Sequence, residues 1–567
     1  MSNSIINTPI NAPIVHESAA LHVTGRAVYV DDLPLPSNSV HIALGLSHVS
    51  HGKLNSIFVD EALLAPGVLA VLSAADIPGQ NDCSPVMGDD PIFAENKVMY
   101  NGQAVFAVVA DSRVAARSAV ELVKVDITTL PAVINIEQAI KQRSFLENPM
   151  CLTVGEPEAE YDSSLTKIDG ELVVGGQEHF YLEGQAAIAQ PLENGGIKLS
   201  VSSQHPSEIQ HKVAAMLGIS YVDVEVEVRR MGGGFGGKES QSNLAACIAA
   251  LATQKTGCPA RLVYDRDDDM RLTGKRHDVK LLYKAGFDSD GRIKSLILDQ
   301  YFRCGMSYDL SKAIAIRALT HADNAYYIPN CRLRAFLCKT HTVSNTAFRG
   351  FGGPQGMIGI ERIMDQIATR LGCDPIEIRK VNYYPDYAAG NFQRTPYGQI
   401  VKDGILNTLT DQLIVSANYL DRRKEIDLYN KSSPIKRRGL GFMPVKFGIS
   451  FNRTMLNQAG ALVHVYTDGS VHLNHGGTEM GQGLHTKVIQ IVADVFGLDV
   501  TRIRISNTTT GKVPNTSATA ASSGTDLNGM AALRAAETIK LRMADYLAKL
   551  YQSRADSIDF SSGSVHL

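Results

Sequence analysis

Met231-Gly-Gly-Gly-Phe-Gly-Gly-Lys238-Glu239 follows a strand-like run, Val222–Arg230, and precedes a helix-like run, Ser242–Gln254. It contains GxGxxG at Gly232, Gly234 and Gly237, with Asp265 downstream of Arg261–Tyr264. Taken alone, that is a dinucleotide-binding fingerprint, acid included. The strand argues against it. Val222, Val224, Val226 and Val228 alternate with Asp223, Glu225, Glu227 and Arg229, the pattern of a strand wet on one face. A central Rossmann strand is buried on both faces and reads as a near-continuous apolar run. GxxxxGK from Gly232 to Lys238 is a second decoy, because Glu239 stands where a P-loop needs a hydroxyl on magnesium. What remains is a run of residues without Cβ, broken by Phe235, whose N–H groups can approach a flat or anionic ligand at a helix N-terminus. A tight strand–helix turn, with Glu239 favouring the helix dipole, reads equally well from this loop alone.

The loop has relatives within the chain. Phe348-Arg-Gly-Phe-Gly-Gly-Pro-Gln355 repeats the Gly-Phe-Gly-Gly core ahead of a helix-like run, Gly356–Leu371. Gly476-Gly-Thr-Glu-Met-Gly-Gln-Gly483 precedes another, Lys487–Phe496, and Asn515–Gly524 is a run of small residues and hydroxyls. Four such loops carrying Gln, Arg and Phe suit a single large, planar, polar cofactor with many hydrogen-bonding edges.

Around these loops the chain has 567 residues, too many for one core; at about 150 residues per domain three or four are expected. A hydrophobic fraction of 44% against 20% charged excludes disorder as the main state. Fifty-five basic and 58 acidic residues give a net charge of −3, so no overall field favours nucleic acid or an anionic membrane. The eight cysteines form no CxxC pair and suggest no disulfide framework, zinc site or iron–sulfur site. Scattered cysteines fit a reducing compartment. Met1 to Ala19 lacks a basic start followed by an apolar run, and the longest apolar run, Leu244–Ala252, is too short for a bilayer. A cytoplasmic protein without membrane or nucleic-acid partners is expected.

The patterning divides the chain into a polar tail, 1–19, a small α+β domain, 20–132, a linker, 133–165, and a larger domain, 166–390. A second linker, 391–436, entered through the Pro/Gly/Asn-rich Pro385–Tyr397, leads to a second mixed domain, 437–567. Within the small domain, strands are expected at Val40–Leu46, Val68–Val71 and Val105–Val109 and a helix at Val114–Val125; a helix around Met530–Leu550 closes the chain.

Thr24–Asp32, Gly175–Glu183, Arg230–Glu239, Ser344–Gln355 and Gly476–Gly483, in this order, resemble the molybdenum-cofactor subunit of the xanthine dehydrogenase/aldehyde oxidase family. The resemblance implies an α+β chain: an N-terminal α/β hammerhead domain, then two molybdopterin-binding domains of mixed sheets and helices. It implies a molybdenum held by the pterin dithiolene rather than by Cys or His, with FAD and [2Fe-2S] clusters on a separate partner subunit and dimerised heterodimers as the assembly. By motif position it places Gln204 near the molybdenum and Phe235, Arg349 and Ala521 around the metal centre. Gly236, Gly481, Gln482, Ser522 and Ser523 fall at contacts to the cofactor.

For the substrate, Glu239 matches the acid that hydrogen-bonds purines and Arg317 the guanidinium that accepts developing charge on the far ring. Aldehyde oxidisers of the family usually carry apolar residues at both places. Phe351 and Phe451 match two rings that sandwich the purine, while Asn452 departs from the Thr that commonly follows. The implied function is oxidation of hypoxanthine or xanthine to urate, with water as oxygen source. The alternatives are an oxidase of aldehydes or other N-heterocycles, or a cofactor-binding chain without turnover. The resemblance further implies a Gly-Glu-Pro segment near the C-terminus whose Glu is the general base; here the only such tripeptide is Gly155-Glu156-Pro157, ahead of the first Gly loop. The base is therefore expected beyond residue 567, the second large domain is expected to be incomplete, and Glu479 is expected to cap a helix.

Overall fold

A computed structural model describes residues 10–385, 393–512 and 516–567. Its largest sheet has eight strands in the order Thr508–Thr509, Val224–Val228, Ile197–Val201, Ala186–Pro191, Ala260–Val263, Val40–Leu46, Ala104–Ala110, Val68–Leu72. Every residue of Ala104–Ala110 is buried, as its unbroken apolar run requires. That strand pairs antiparallel with Val40–Leu46, which in turn joins Ala260–Val263 in parallel at Val40–Ala260 and His41–Arg261. At the other end, Thr508–Thr509 adds to Val224–Val228. One sheet thus draws strands from near the start, the middle and near the end of the chain.

A second sheet, in the order Met150–Val154, Cys331–Lys339, Ile293–Gly305, Val279–Phe287, Thr166–Val174, packs Leu281, Leu298 and Leu333 against Ile360, Ile363 and Ile367 of helix Gly353–Leu371. A three-stranded sheet, Ala461–Val465, Val471–His475, Ile503–Ile505, shares a core with helices Leu484–Phe496 and Gly524–Tyr551.

The strands expected at Val40–Leu46, Val68–Val71 and Val105–Val109 are present to within a residue at each end. The helix expected at Val114–Val125 stops at Val120, because Lys124–Thr129 is taken by a strand pairing with Gly52–Phe58. Alternating Val125, Ile127 and Thr129 suit a pleated surface better than a helix. Val222 does not belong to its strand: it sits exposed in the 3-10 turn Tyr221–Asp223. In the strand proper, Val224, Val226 and Val228 are buried while Glu225 and Glu227 reach Lys198, at 3.6 and 2.6 Å.

Residues 133–165, expected as a linker, carry helix Ile136–Gln142 capped by Asn135, strand Met150–Val154 in the second sheet, and helix Pro157–Ser163. Gly155-Glu156-Pro157 is the turn between the last two, with Pro157 at the first helical position. Helices Leu406–Ser416 and Tyr419–Ser432 lie within the expected linker 391–436. The expected tail is docked from Ala12 onward: Gln490 Nε2 donates to the Ala12 carbonyl, Glu17 N–H to Thr486 Oγ1, and Ser18 is fully buried. Residues 1–9 of that tail, 386–390 at the end of the expected larger domain, 391–392 of the linker, and 513–515 lie outside the described residues.

Candidate active site

The four small-residue loops meet. Met231 N–H donates to the Glu479 carbonyl at 2.9 Å, joining the first loop to the third. Arg349 N–H donates to the Phe235 carbonyl at 2.9 Å, joining the second to the first. Gln204 ties in the fourth: its Oε1 accepts from Gly236 N–H at 2.9 Å and its Nε2 donates to the Thr519 carbonyl at 3.1 Å. The close approach explains the glycine at 236, whose φ is +100° and where a Cβ would lie 2.8 Å from the Ala347 carbonyl. Phe235, Phe351, Ala521 and Ser522 are non-glycine residues in the left-handed region, with φ of 48–56°. Such strain clusters at sites where the surrounding fold over-determines the backbone.

Where the loops meet they enclose a cavity of about 310 Å³, lined among others by Gln204, Phe235, Gly236, Arg349, Gln482, Ala521 and Ser522. A larger cavity of about 730 Å³ is lined by Glu239, Arg317, Phe351, Phe451 and Asn452. Glu239, Arg317, Phe351 and Ala521 border both, so the two are neighbours across one wall. Two expected residues stand apart. Gly481 lies in the turn before helix Leu484–Phe496, and Ser523 lines a small crevice beside Gly476, Gly477 and Asn528.

Burial raises the Glu239 carboxyl to about 8; His205 opposes the shift, and Glu208 and Asp309 add to it. At neutral pH Glu239 is therefore mainly a carboxylic acid, able to donate as well as accept. The Arg317 guanidinium donates to the Gly448 carbonyl and, at 2.7 Å, to that of Ser450. It thereby holds the strap that carries Phe451 against the cavity. Burial lowers its pKa from the ordinary value, but a guanidinium keeps its charge. His205, Glu208, Lys212 and Asp309 also line the larger cavity. Sequence reasoning missed them; His205 beside Gln204 and Glu208 one turn on were the available cue.

The decoys resolve into structure. Lys238 is fully buried, and its ammonium donates to the Glu183 carbonyl at 2.7 Å and to Ser202 Oγ at 2.8 Å. Asp265 caps helix Arg266–Leu272, accepting from Asp268 N–H at 2.9 Å. Glu479 accepts from the N–H groups of Gly481, Gly483 and His485, at 2.9, 3.0 and 3.1 Å, as the expected cap.

These residues fit a large, polar cofactor. Among the described residues no group of three His, Cys, Asp or Glu could hold an ion. Thr478 Oγ1 and Ser517 Oγ, on the third and fourth loops, are buried without a hydrogen-bond partner among the described residues. Gln482 and Ser522 offer further polar groups at the cavity wall.

Family models match in the same order along the chain. The aldehyde oxidase and xanthine dehydrogenase α/β hammerhead domain covers residues 24–131, and two molybdopterin cofactor-binding domains cover 141–383 and 412–567. Xanthine dehydrogenase of Dictyostelium discoideum is 44% identical over 94% of this chain, and xanthine dehydrogenase/oxidase of Gallus gallus 44% over 95%. The chain spans 39% of the length of each. Quinoline 2-oxidoreductase from Pseudomonas putida 86 superposes with a TM-score of 0.87 at 24% identity, over 100% of this chain and 74% of that one. Aldehyde oxidoreductase from Desulfovibrio gigas gives 0.82 at 24%, over 97% and 64%. At these identities the two structures speak for the fold. The chain belongs to the aldehyde oxidase and xanthine dehydrogenase family, of which it carries the hammerhead domain and the molybdopterin cofactor-binding domains.

Proposed function

We propose that this chain is the molybdopterin-binding part of a hydroxylase that oxidises hypoxanthine and xanthine to urate, with water as the oxygen source. The observation that carries the reading is the larger cavity, where Glu239, Arg317, Phe351, Phe451 and Asn452 share one enclosure beside the cavity of the Gly loops. The molybdenum cofactor, when bound, supplies the oxygen transfer and takes up the electrons. Gln204, Phe235, Gly236, Arg349, Gln482, Ala521 and Ser522 would hold it, with Gly481 and Ser523 behind them.

The chain's own part is to bind and polarise the heterocycle. Phe351 and Phe451 supply apolar faces for a flat ring. Glu239, kept protonated, donates to a ring nitrogen or carbonyl on the polar edge. Arg317 offers fixed positive charge to that edge, where electron density accumulates as oxygen attacks carbon, and so favours the transition state over the ground state. Asn452 adds an amide at the same wall. Electrons pass to an iron–sulfur/FAD subunit, within an assembly of dimerised heterodimers. A cytoplasmic setting suits eight free cysteines. Among the described residues, no helix is long and apolar enough to cross a membrane.

The test replaces Glu239 by Val and Arg317 by Met in the assembled enzyme and measures urate formation from xanthine against oxidation of a heteroaromatic aldehyde. Selective loss of xanthine turnover supports the purine reading. Equal loss on both substrates would mean that the two residues hold the fold or the cofactor.

A further inference from the structure

Behind the larger cavity lies a feature that binding a heterocycle leaves unused. Asp309 lines that cavity and also a small internal one of about 30 Å³, which is bordered by Asp90, Tyr100, Ser240, Tyr264 and Thr273 as well. A cavity of that size exceeds the roughly 10–15 Å³ that one water needs, and the walls are polar enough to hold one. The Tyr264 hydroxyl is buried there without a partner among the described residues. A buried hydroxyl of that kind calls for water.

The two carboxyls differ in their surroundings. Asp309 is gripped by donors: Ser240 Oγ at 2.7 Å, Gln241 Nε2 at 2.8 Å, Thr346 Oγ1 at 2.6 Å and Leu310 N–H at 2.7 Å. It is buried with a left-handed φ of 40° and has no ion-pair partner among the described residues. Among the described residues the Asp90 carboxyl accepts one side-chain hydrogen bond, from Ser307 Oγ at 3.2 Å. It follows the exposed Val86 and Met87, which border the mouth of the substrate cavity. Burial raises both acids, Asp309 to about 6 and Asp90 to about 7, and the charge of Asp309 adds to the shift of Asp90. Other charges face them. Glu208 acts on Asp309, and Asp309 in turn on Glu239; Asp82 and Asp89 act on Asp90, with Lys212 paired to Asp82 at 2.7 Å.

We propose that Asp309, an internal water and Asp90 form a proton relay that leads from the substrate cavity to the surface of the hammerhead domain. The relay rests on the hydroxylase reading for its source of protons. When water hydroxylates a ring carbon, a C–O bond forms and a C–H bond breaks, releasing two protons and two electrons. The electrons leave through the iron–sulfur/FAD subunit and the protons need an exit. Asp309, held ionised by its donors, accepts a proton at the cavity. It passes it through the enclosed water to Asp90, which releases it to solvent. Asp309 comes from a molybdopterin-binding domain and Asp90 from the hammerhead, so the relay exists only where the two are docked.

Asp90→Asn and Asp309→Asn test it, with Asp90→Glu as the conservative control. Infrared titration of the purified chain needs neither cofactor nor substrate. It should show a protonated carboxyl that titrates near neutral pH, is lost in Asp90→Asn, and titrates lower in Asp309→Asn because a neighbouring negative charge is gone. In the assembled enzyme, Asp90→Asn should lower kcat roughly tenfold or more with KM little changed, raise the solvent isotope effect, and be rescued in part by Asp90→Glu. Glu239 and Asp309 also titrate near this range, so the outcome that would overturn the relay is that every titrating carboxyl band survives Asp90→Asn, or that kcat and the isotope effect are unaltered. A wrong purine assignment would leave the infrared result standing, so the two failures are separable.

Discussion

Gln204 and Thr519, 315 positions apart, hold each other by two hydrogen bonds: Thr519 N–H to the Gln204 carbonyl at 2.9 Å, and Gln204 Nε2 to the Thr519 carbonyl at 3.1 Å. The pair closes the cofactor cavity by joining the two molybdopterin-binding domains at backbone level. Gln204→Ala leaves Gly236 N–H and the Thr519 carbonyl without their side-chain partner. A destabilisation of about 1–3 kcal/mol is expected. Thermal unfolding, with limited proteolysis around residues 516–524, measures it; an unchanged midpoint and cleavage pattern would contradict the bridging role.

Glu239 makes stability depend on pH. With its carboxyl raised from 4.5 to about 8, the native state keeps a proton that the unfolded chain releases across that window. Stability therefore falls as pH rises from about 4.5 to about 8. Glu239→Gln removes this dependence, so the variant should gain on the parent as the medium becomes more alkaline. Denaturant unfolding at several pH values checks the sign: a parent that gains on Glu239→Gln towards pH 8 would refute it.

Arg317 holds the strap of Gly448 and Ser450 through a fork that an ammonium cannot reproduce. Arg317→Lys keeps the charge yet should loosen the strap, with faster amide hydrogen exchange over residues 447–452 and a higher KM for a purine. Exchange equal to the parent's would show that the fork is dispensable.

Glu479 caps helix Leu484–Phe496. Glu479→Ala exposes three N–H groups to the loss of their acceptor and should cost about 1–2 kcal/mol. Calorimetry of the variant measures the drop; a stable variant with abolished proton transfer would reverse the assignment.

What could be read from the residues was whatever local patterning controls. The alternation of Val224, Val226 and Val228 with glutamates marked a half-wet strand, and the repeated Gly-Phe-Gly-Gly marked two loops of a common site. Glu239, Arg317, Phe351, Phe451 and Asn452 came from motif position, and one cavity gathers them. Distant pairing stayed hidden. Met150–Val154 lies in a stretch, 133–165, that reads as mixed and polar until Cys331–Lys339 lies beside it, and the helix expected to Val125 gives up its end to the strand Lys124–Thr129 that Gly52–Phe58 takes. His205 and Asp309 carried no motif; only the folded chain sets them on the cavity wall.

The eight-stranded sheet has a consequence for how the protein is made. Val40–Leu46 is made well before its parallel neighbour Ala260–Val263, and Thr508–Thr509 is made later still. Until then the hammerhead strands present an unfinished edge, open to pairing with other chains. The sheet can close only after all three stretches have been made, so its completion is a late event in the folding of this chain.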